Sequence, residues 1–303
     1  MMNPQIVTRM PLHTHHEPKE RRLFDVIDGR FQPLQEIGCG AVCLVHLAKD
    51  KSTGHMVALK RLRWDMLENK NSRYTLQTEN QALLLMQDAG HPGIPRIISA
   101  SLGSDPYVAE QFMDGLPFAL NNVRDRRTAI MLSISVCGVL ATLHKAGIVY
   151  RDLKPSNIVL KHDFKSISLT DFGYAILPGM EDFAMRVDIP VGTPMFMAPE
   201  QTYPKQRVDH RADIYALGVV LYVFLSGWYP YTFKEGENER ENCFQAHRSQ
   251  EAVPLHMRNP TIPKRLSYVV ASALAKEPEK RFQDAEEMAD ALSDCLAPID
   301  SFR

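Results

Sequence analysis

The chain has 303 residues, 45% hydrophobic and 23% charged, a balance typical of folded chains and enough length for two lobes with cores of their own. A formal net charge of −1 supplies no field to hold a polyanion, which argues against nucleic acid or an anionic membrane surface as a partner. Five cysteines, at 39, 43, 137, 243 and 295, are odd in number and show no CxxC spacing, so reduced thiols in a cytoplasmic protein are expected and zinc is not.

Residues 1–29 are polar, with prolines at 4, 11 and 18, and read as an N-terminal extension without the apolar stretch of a secretory signal. His13, His15 and His16 read as a solvated tail in preference to a metal site. From Phe31 to about Met113 the apolar segments suit strands: Leu34 and Ile37, Val45 and Leu47, Met56 to Leu59, and Tyr107 to Ala109, divided by turn signals such as Lys51-Ser52-Thr53-Gly54. One helix is expected among them, over 77–87, stopping before Gly90-His91-Pro92-Gly93.

After about Asp114 helices dominate, with 128–146, 210–226, 266–275 and 284–296 the clearest. The most apolar run, Ile214 to Tyr229, is shorter than the roughly 20 residues a membrane helix needs and is led by Asp213, so a buried helix and no membrane association are expected. The fold class is therefore α+β, two lobes, with an N-lobe of about 30–113, a C-lobe of about 114–296 and a short tail, 297–303. No internal repeat is visible, and the oligomeric state has no sequence signal.

Two glycines open the first strand pair, in Ile37-Gly38-Cys39-Gly40, and Cys43 stands where a third would complete GxGxxG. No Gly-Lys-Ser/Thr follows, which excludes a Walker loop, and a strand follows where a dinucleotide fold demands a helix. The segment reads as a hairpin lid whose glycines let backbone approach phosphates. Cys39 and Cys43 read as inert small residues, with oxidation sensitivity as the alternative.

The densest chemistry lies in Ile148 to Leu160, IVYRDLKPSNIVL. Asp152, Lys154 and Asn157, with Pro155 shaping the loop between them, bring a carboxylate, an ammonium and a carboxamide around one point. Phosphoryl transfer needs that set: a group to orient a hydroxyl and accept its proton, a cation for the phosphate oxygens, and an oxygen donor for magnesium. Downstream come Asp171-Phe172-Gly173, Gly192-Thr193-Pro194 and Ala198-Pro199-Glu200. With these in order over about 30–296, the chain resembles the eukaryotic-type serine/threonine protein kinases, in a compact style suggesting a bacterial or phage member.

That resemblance implies the bilobal kinase fold and names site residues. Asp152 would be the catalytic carboxylate, Lys154 the lysine at the γ-phosphate, and Asn157 and Asp171 the metal ligands. Lys60 would pair with the α- and β-phosphates and with Glu79, chosen over Glu68 for its distance and its place on the expected helix. The nucleotide pocket would be lined by Ile37, Gly38, Cys39, Gly40, Val45, Ala58, Lys60, Glu79, Gln111, Met113 and Val159, with hinge contacts at Gln111 and Met113. Glu200 would pair with Arg281, and Asp213 would hold the catalytic-loop backbone. The implied cofactors are ATP and Mg2+, with Mn2+ a substitute, and the implied partners are proteins carrying Ser/Thr.

Lys154 matches the Ser/Thr kinases and not the alanine-arginine pattern of tyrosine kinases. Small-molecule phosphotransferases of related fold lack the Gly-Thr-Pro and Ala-Pro-Glu platform, which this chain has. Three positions and one segment depart from the family pattern. Tyr150 replaces the usual histidine. Between Asp171 and Glu200 the hydroxyl-bearing residues are Tyr174 and Thr193 alone, so Glu181, Asp182 or Asp188, in place of a phosphate, is expected to neutralise Arg151. Glu110 falls at the gatekeeper position, where a carboxylate needs a partner. Cys43 and Glu110 together motivate a pseudokinase as the alternative, against which stand Lys60, Asp152, Asn157 and Asp171.

Overall fold

Five antiparallel strands form the N-lobe sheet in the order β1-β2-β3-β5-β4: β1 Phe31–Cys39, β2 Cys43–Asp50, β3 Met56–Leu62, β4 Ile97–Ser101 and β5 Tyr107–Gln111. This is a computed structural model, describing residues 25–119, 125–233, 236 and 238–296; the three N-terminal histidines lie outside the described residues. The expected first strand exists, but Leu34 and Ile37 do not bury: they are 50% and 43% exposed, and β1 shifts register on either side of them. β4 has a weakly alternating sequence, IISAS, and was not expected; pairing with β5 holds it.

Pleating divides β3 and β5 between two environments. Val57, Leu59, Tyr107 and Ala109 join Ile27, Phe31 and Ala48 in a core on one face. Register pairs Ala58 with Glu110 and Lys60 with Val108, so these four share the opposite face. Across from it lies α1, Lys70–Met86. This helix begins seven residues before the expected start at 77 because Asn69 caps it, its side chain accepting from the amides of Asn71 and Ser72. Ser72, Thr75, Leu76, Glu79, Ala82, Leu83 and Met86 form its buried stripe.

In the C-lobe, α2 (Arg126–Lys145) and α4 (Arg211–Ser226) form the centre, packed by α7 (Lys264–Ala273) and α8 (Ala285–Ser293). α4 is buried over nearly its whole length, as its composition predicts. Among the described residues α2 is the helix long and apolar enough to cross a membrane, yet here it packs on α4, α8 and β8 as a core helix. A small sheet of β6 (Leu116–Pro117), β7 (Ile158–Leu160) and β8 (Ile167–Leu169) frames the loop that carries Asp152, Lys154 and Asn157. Three helices had no strong apolar period and were not expected: α3 (Phe183–Val187), α5 (Glu239–Ser249) and α6 (Leu255–Arg258). One core runs from the inner face of α1 through Phe172 and Tyr150 into the C-lobe helices, so the two lobes share packing.

Candidate active site

Asp213, fully buried in the first turn of α4, accepts the amides of Tyr150 at 2.9 Å and Arg151 at 2.7 Å and bonds His144 Nε2 at 2.9 Å. These bonds hold Arg151 at φ 73°, a region that costs a non-glycine residue of order 1 kcal/mol or more. The next residue, Asp152, is thereby turned toward the segment that carries Thr193. Its Oδ1 accepts the Thr193 amide at 2.8 Å and Oγ1 at 2.7 Å, and its Oδ2 accepts Lys154 Nζ at 2.7 Å. Lys154 closes the triangle by donating to Thr193 Oγ1 at 2.9 Å. Pro155 opens a single helical turn that brings Asn157 round, where Nδ2 donates to the Asp152 carbonyl at 3.0 Å.

Lys60 forms the second centre. It projects from β3 into an ion pair with Glu79 of α1 and lies 3.4 Å from Glu110 of β5. Burial opposes its charge, but Glu110, Glu79 and Asp171 outweigh burial and raise its pKa. Burial also raises Glu79, against the pull of Lys60. Glu79 accepts the Phe172 amide at 3.1 Å, so one carboxylate joins the strand lysine to the Asp171-Phe172-Gly173 turn. Glu68 takes no part in this pairing. Glu110 has found a cation, so the register of the hinge does not leave it stranded.

Phe172 is fully buried and turns Asp171 outward, at φ 67°, into the exposed cleft. Tyr150 supports this turn: its hydroxyl donates to the Thr170 carbonyl and its ring meets Phe172 edge-on at 5.3 Å. The Thr170 amide donates to the Asn157 carbonyl at 3.0 Å, which puts Asp171 beside Asn157. Among the described residues no cluster of three or more His, Cys, Asp or Glu side chains could hold a metal alone. Two oxygen donors, the Asp171 carboxylate and the Asn157 carboxamide, fit magnesium, which takes most of its ligands from water and phosphates.

Of the three acids expected to face Arg151, Asp182 does so, with both carboxylate oxygens on the guanidinium. Glu181 pairs with Arg186 and Asp188 with Lys205 instead. Asp182 also caps α3, accepting the Ala184 amide at 2.8 Å. α3 is held against α1 by a contact the sequence did not signal: Tyr74 donates to the Glu181 carbonyl at 2.6 Å and stacks on Phe183 at 6.1 Å. Tyr74 lies in the first turns of α1, ahead of the apolar period that identified the helix. At the far end of the segment Glu200 makes two bonds of 2.7 Å with Arg281, whose other donors reach the carbonyls of Arg211, Ala275 and Lys276.

The lid residues lie along the β1–β2 hairpin. Neither Gly38 nor Gly40 has positive φ, and an added Cβ would meet only ordinary contacts of 3.6 and 3.5 Å, so neither the turn nor packing demands glycine there. Ile37 presents an exposed apolar side chain beside them. Val45 of β2 pairs directly with Lys60 of β3, and Ala58 lies two residues before Lys60. Gln111 ends β5, its amide bonded to the Arg96 carbonyl at 2.8 Å, and Met113 is buried just beyond. Gly115 is required: a Cβ there would lie 2.4 Å from the Leu160 carbonyl and 2.7 Å from Val159. Cys39 is exposed, whereas burial pushes the Cys43 thiol up to about 12, which corrects the alternative of a reactive pair for that residue.

Comparison with known proteins gives the same picture. The model of the protein kinase domain family matches residues 31–293. Curated relatives include serine/threonine-protein kinase pkn2 of Myxococcus xanthus, 30% identical over 91% of this chain and 34% of its own length. Pkn1 of the same organism is 32% identical over 89% of this chain and 38% of its own. PknB of Mycolicibacterium smegmatis is 30% identical over 86% and 42% respectively. The chain thus spans between a third and a half of the length of these relatives.

Proposed function

Because the chain belongs to the protein kinase domain family, we propose that it is a serine/threonine protein kinase. It moves the γ-phosphoryl group of ATP onto Ser/Thr hydroxyls of protein substrates, and onto its own. The observation that carries this reading is the triangle of Asp152, Lys154 and Thr193. A substrate hydroxyl entering there replaces Thr193 Oγ1 as the donor to Asp152, which orients it and takes its proton. Lys154, already facing the same oxygen, offsets charge on the transferred group. Lys60, held by Glu79, is placed for the α- and β-phosphates. Magnesium, or manganese in its place, neutralises phosphate charge when bound, and Asp171 and Asn157 are the residues that would hold it.

The base would lie between Ile37, Val45 and Ala58 above and Val159 below, with backbone bonds from Gln111 and Met113. Gly38 and Gly40, which the hairpin itself does not require, leave room for phosphates beneath the lid, with Cys39 between them. The cation beside Glu110 removes the buried unpaired carboxylate that favoured a pseudokinase. The protein is proposed to act in the cytoplasm.

Asp152→Asn tests the reading. Transfer of labelled phosphate from ATP to a protein acceptor is expected to fall by about 10²-fold or more, with nucleotide binding retained. Transfer at the wild-type rate would exclude Asp152 as the catalytic carboxylate.

A further inference from the structure

Lys60 stands between two carboxylates that are not equivalent. Glu79 is anchored twice, by Lys60 and by the Phe172 amide. Glu110 is anchored once, through Oε1 at 3.4 Å, and its buried Oε2 has no hydrogen-bond partner among the described residues. The three side chains are 7%, 4% and 2% exposed for Lys60, Glu79 and Glu110, so water screens none of them. Asp171 adds its charge from the adjacent turn, which sets one cation against three carboxylates. The Cys43 thiol on β2 and the Tyr150 hydroxyl, both raised chiefly by burial, stay neutral beside this cluster.

A nucleotide brings further negative charge to the same cation. Its α- and β-phosphates compete with whatever already holds Lys60, and of the two side chains that touch it, Glu110 is the less firmly held. Resting on the kinase reading above, we propose that Glu110 is a positioning residue that sets nucleotide affinity through Lys60. Ionised, it draws Lys60 away from the phosphates and adds a like charge beside them. Protonated, it leaves Lys60 to Glu79 and the nucleotide.

The direction with pH follows from the burial of Glu110, which pushes its carboxyl up to about 7 against the pull of Lys60. The carboxyl is therefore protonated to a larger extent at pH 6 than at pH 8, so affinity falls as pH rises through neutrality. Glu110→Gln keeps the shape and cannot ionise. Glu110→Met fills the position without a polar group, so a packing fault peculiar to one variant cannot imitate the effect.

The experiment is calorimetric titration of wild type and both variants with a non-hydrolysable ATP analogue and with adenosine, at pH 6 and pH 8. At pH 8 both variants are expected to bind the analogue on the order of tenfold more tightly than wild type, with the gap closing at pH 6. Titration of the analogue's own phosphate is common to all three proteins and cancels. Adenosine, which has no phosphate for Lys60, should show no such gap. Equal or weaker binding of the analogue by the variants at pH 8, or the same gap with adenosine, overturns the proposal. A wild-type protein that binds neither compound overturns the kinase reading itself and this proposal with it.

Discussion

Arg151 and Asp182, 31 residues apart, meet in a two-point ion pair that ties the loop carrying Asp152 to the segment between Phe172 and Thr193. The Arg151 side chain is 2% exposed and that of Asp182 13%, so the pair is shielded from solvent. Removing one member of such a pair leaves an uncompensated charge, which costs about 3–5 kcal/mol.

Asp182→Asn is therefore expected to loosen the segment from Phe172 to Thr193 and to lower kcat/KM for phosphate transfer by about tenfold or more, since 1.36 kcal/mol is a factor of ten in rate. Intact-mass measurement of active wild type should find no stoichiometric phosphate between Asp171 and Glu200, where Tyr174 and Thr193 are the hydroxyl-bearing residues. A required phosphate in that span would show that the carboxylate does not replace it.

Tyr150 offers a second test. Its hydroxyl donates to the Thr170 carbonyl, one residue before Asp171. Tyr150→Phe keeps the ring contact with Phe172 and deletes the donor, with an expected loss of about 1 kcal/mol in chemical denaturation. Phosphate transfer should fall several-fold, because the same bond positions Asp171. Unchanged stability and rate would show the hydroxyl to be idle.

His247, on α5, is fully buried and bonds the Tyr215 hydroxyl at 2.9 Å through Nδ1. Burial and the nearby charge of Lys276 lower its pKa to about 3. Between an unfolded value of about 6.5 and that folded value the unfolded chain binds a proton that the native chain does not, so stability falls as pH falls. From pH 7 to pH 5 wild type should lose about 2 kcal/mol more than His247→Gln, read from urea unfolding at each pH. Parallel losses in the two proteins would mean that His247 is not the titrating group.

The cysteines give a chemical test. With its thiol pushed up to about 12, Cys43 holds almost no thiolate at pH 8, whereas Cys39 is exposed on the lid. Iodoacetamide at pH 8 followed by peptide mapping should label Cys39 in the native protein and Cys43 only after unfolding. Any peroxide sensitivity of activity at the lid should then disappear in Cys39→Ser alone. Native labelling of Cys43 at a comparable rate would contradict the raised thiol.

Much of the fold was legible because its strongest signals are local. Alternation marks β2, short apolar runs between turn signals mark β3 and β5, and long apolar periods mark α2, α4, α7 and α8. Where the local signal is weak, elements extend beyond what periodicity marks. α1 was missed over Lys70 to Leu76 because capping by Asn69, not apolar period, starts it. β4 exists through pairing with β5, the next strand in the chain, and α5 through packing on the turns at 194–196 and 199–202. Leu34 and Ile37 look like core residues in one dimension but stand exposed on the hairpin.

The site divides in the same way. Asp152, Lys154 and Asn157 lie within one short loop, so their spacing alone places them near a common point, and the order of the later motifs identifies the family. Pairing across the fold is another matter. Glu181, Asp182 and Asp188 are interchangeable carboxylates as a string of residues, and only the path of the segment over α1 and the catalytic loop puts Asp182 on Arg151. Glu110 likewise is an anomaly in the sequence until the β3–β5 register sets its side chain on the face of Lys60. Local spacing governs which chemical groups a loop can offer, whereas the partner of a buried charge is decided by distances of a few ångströms that exist only once the chain has packed.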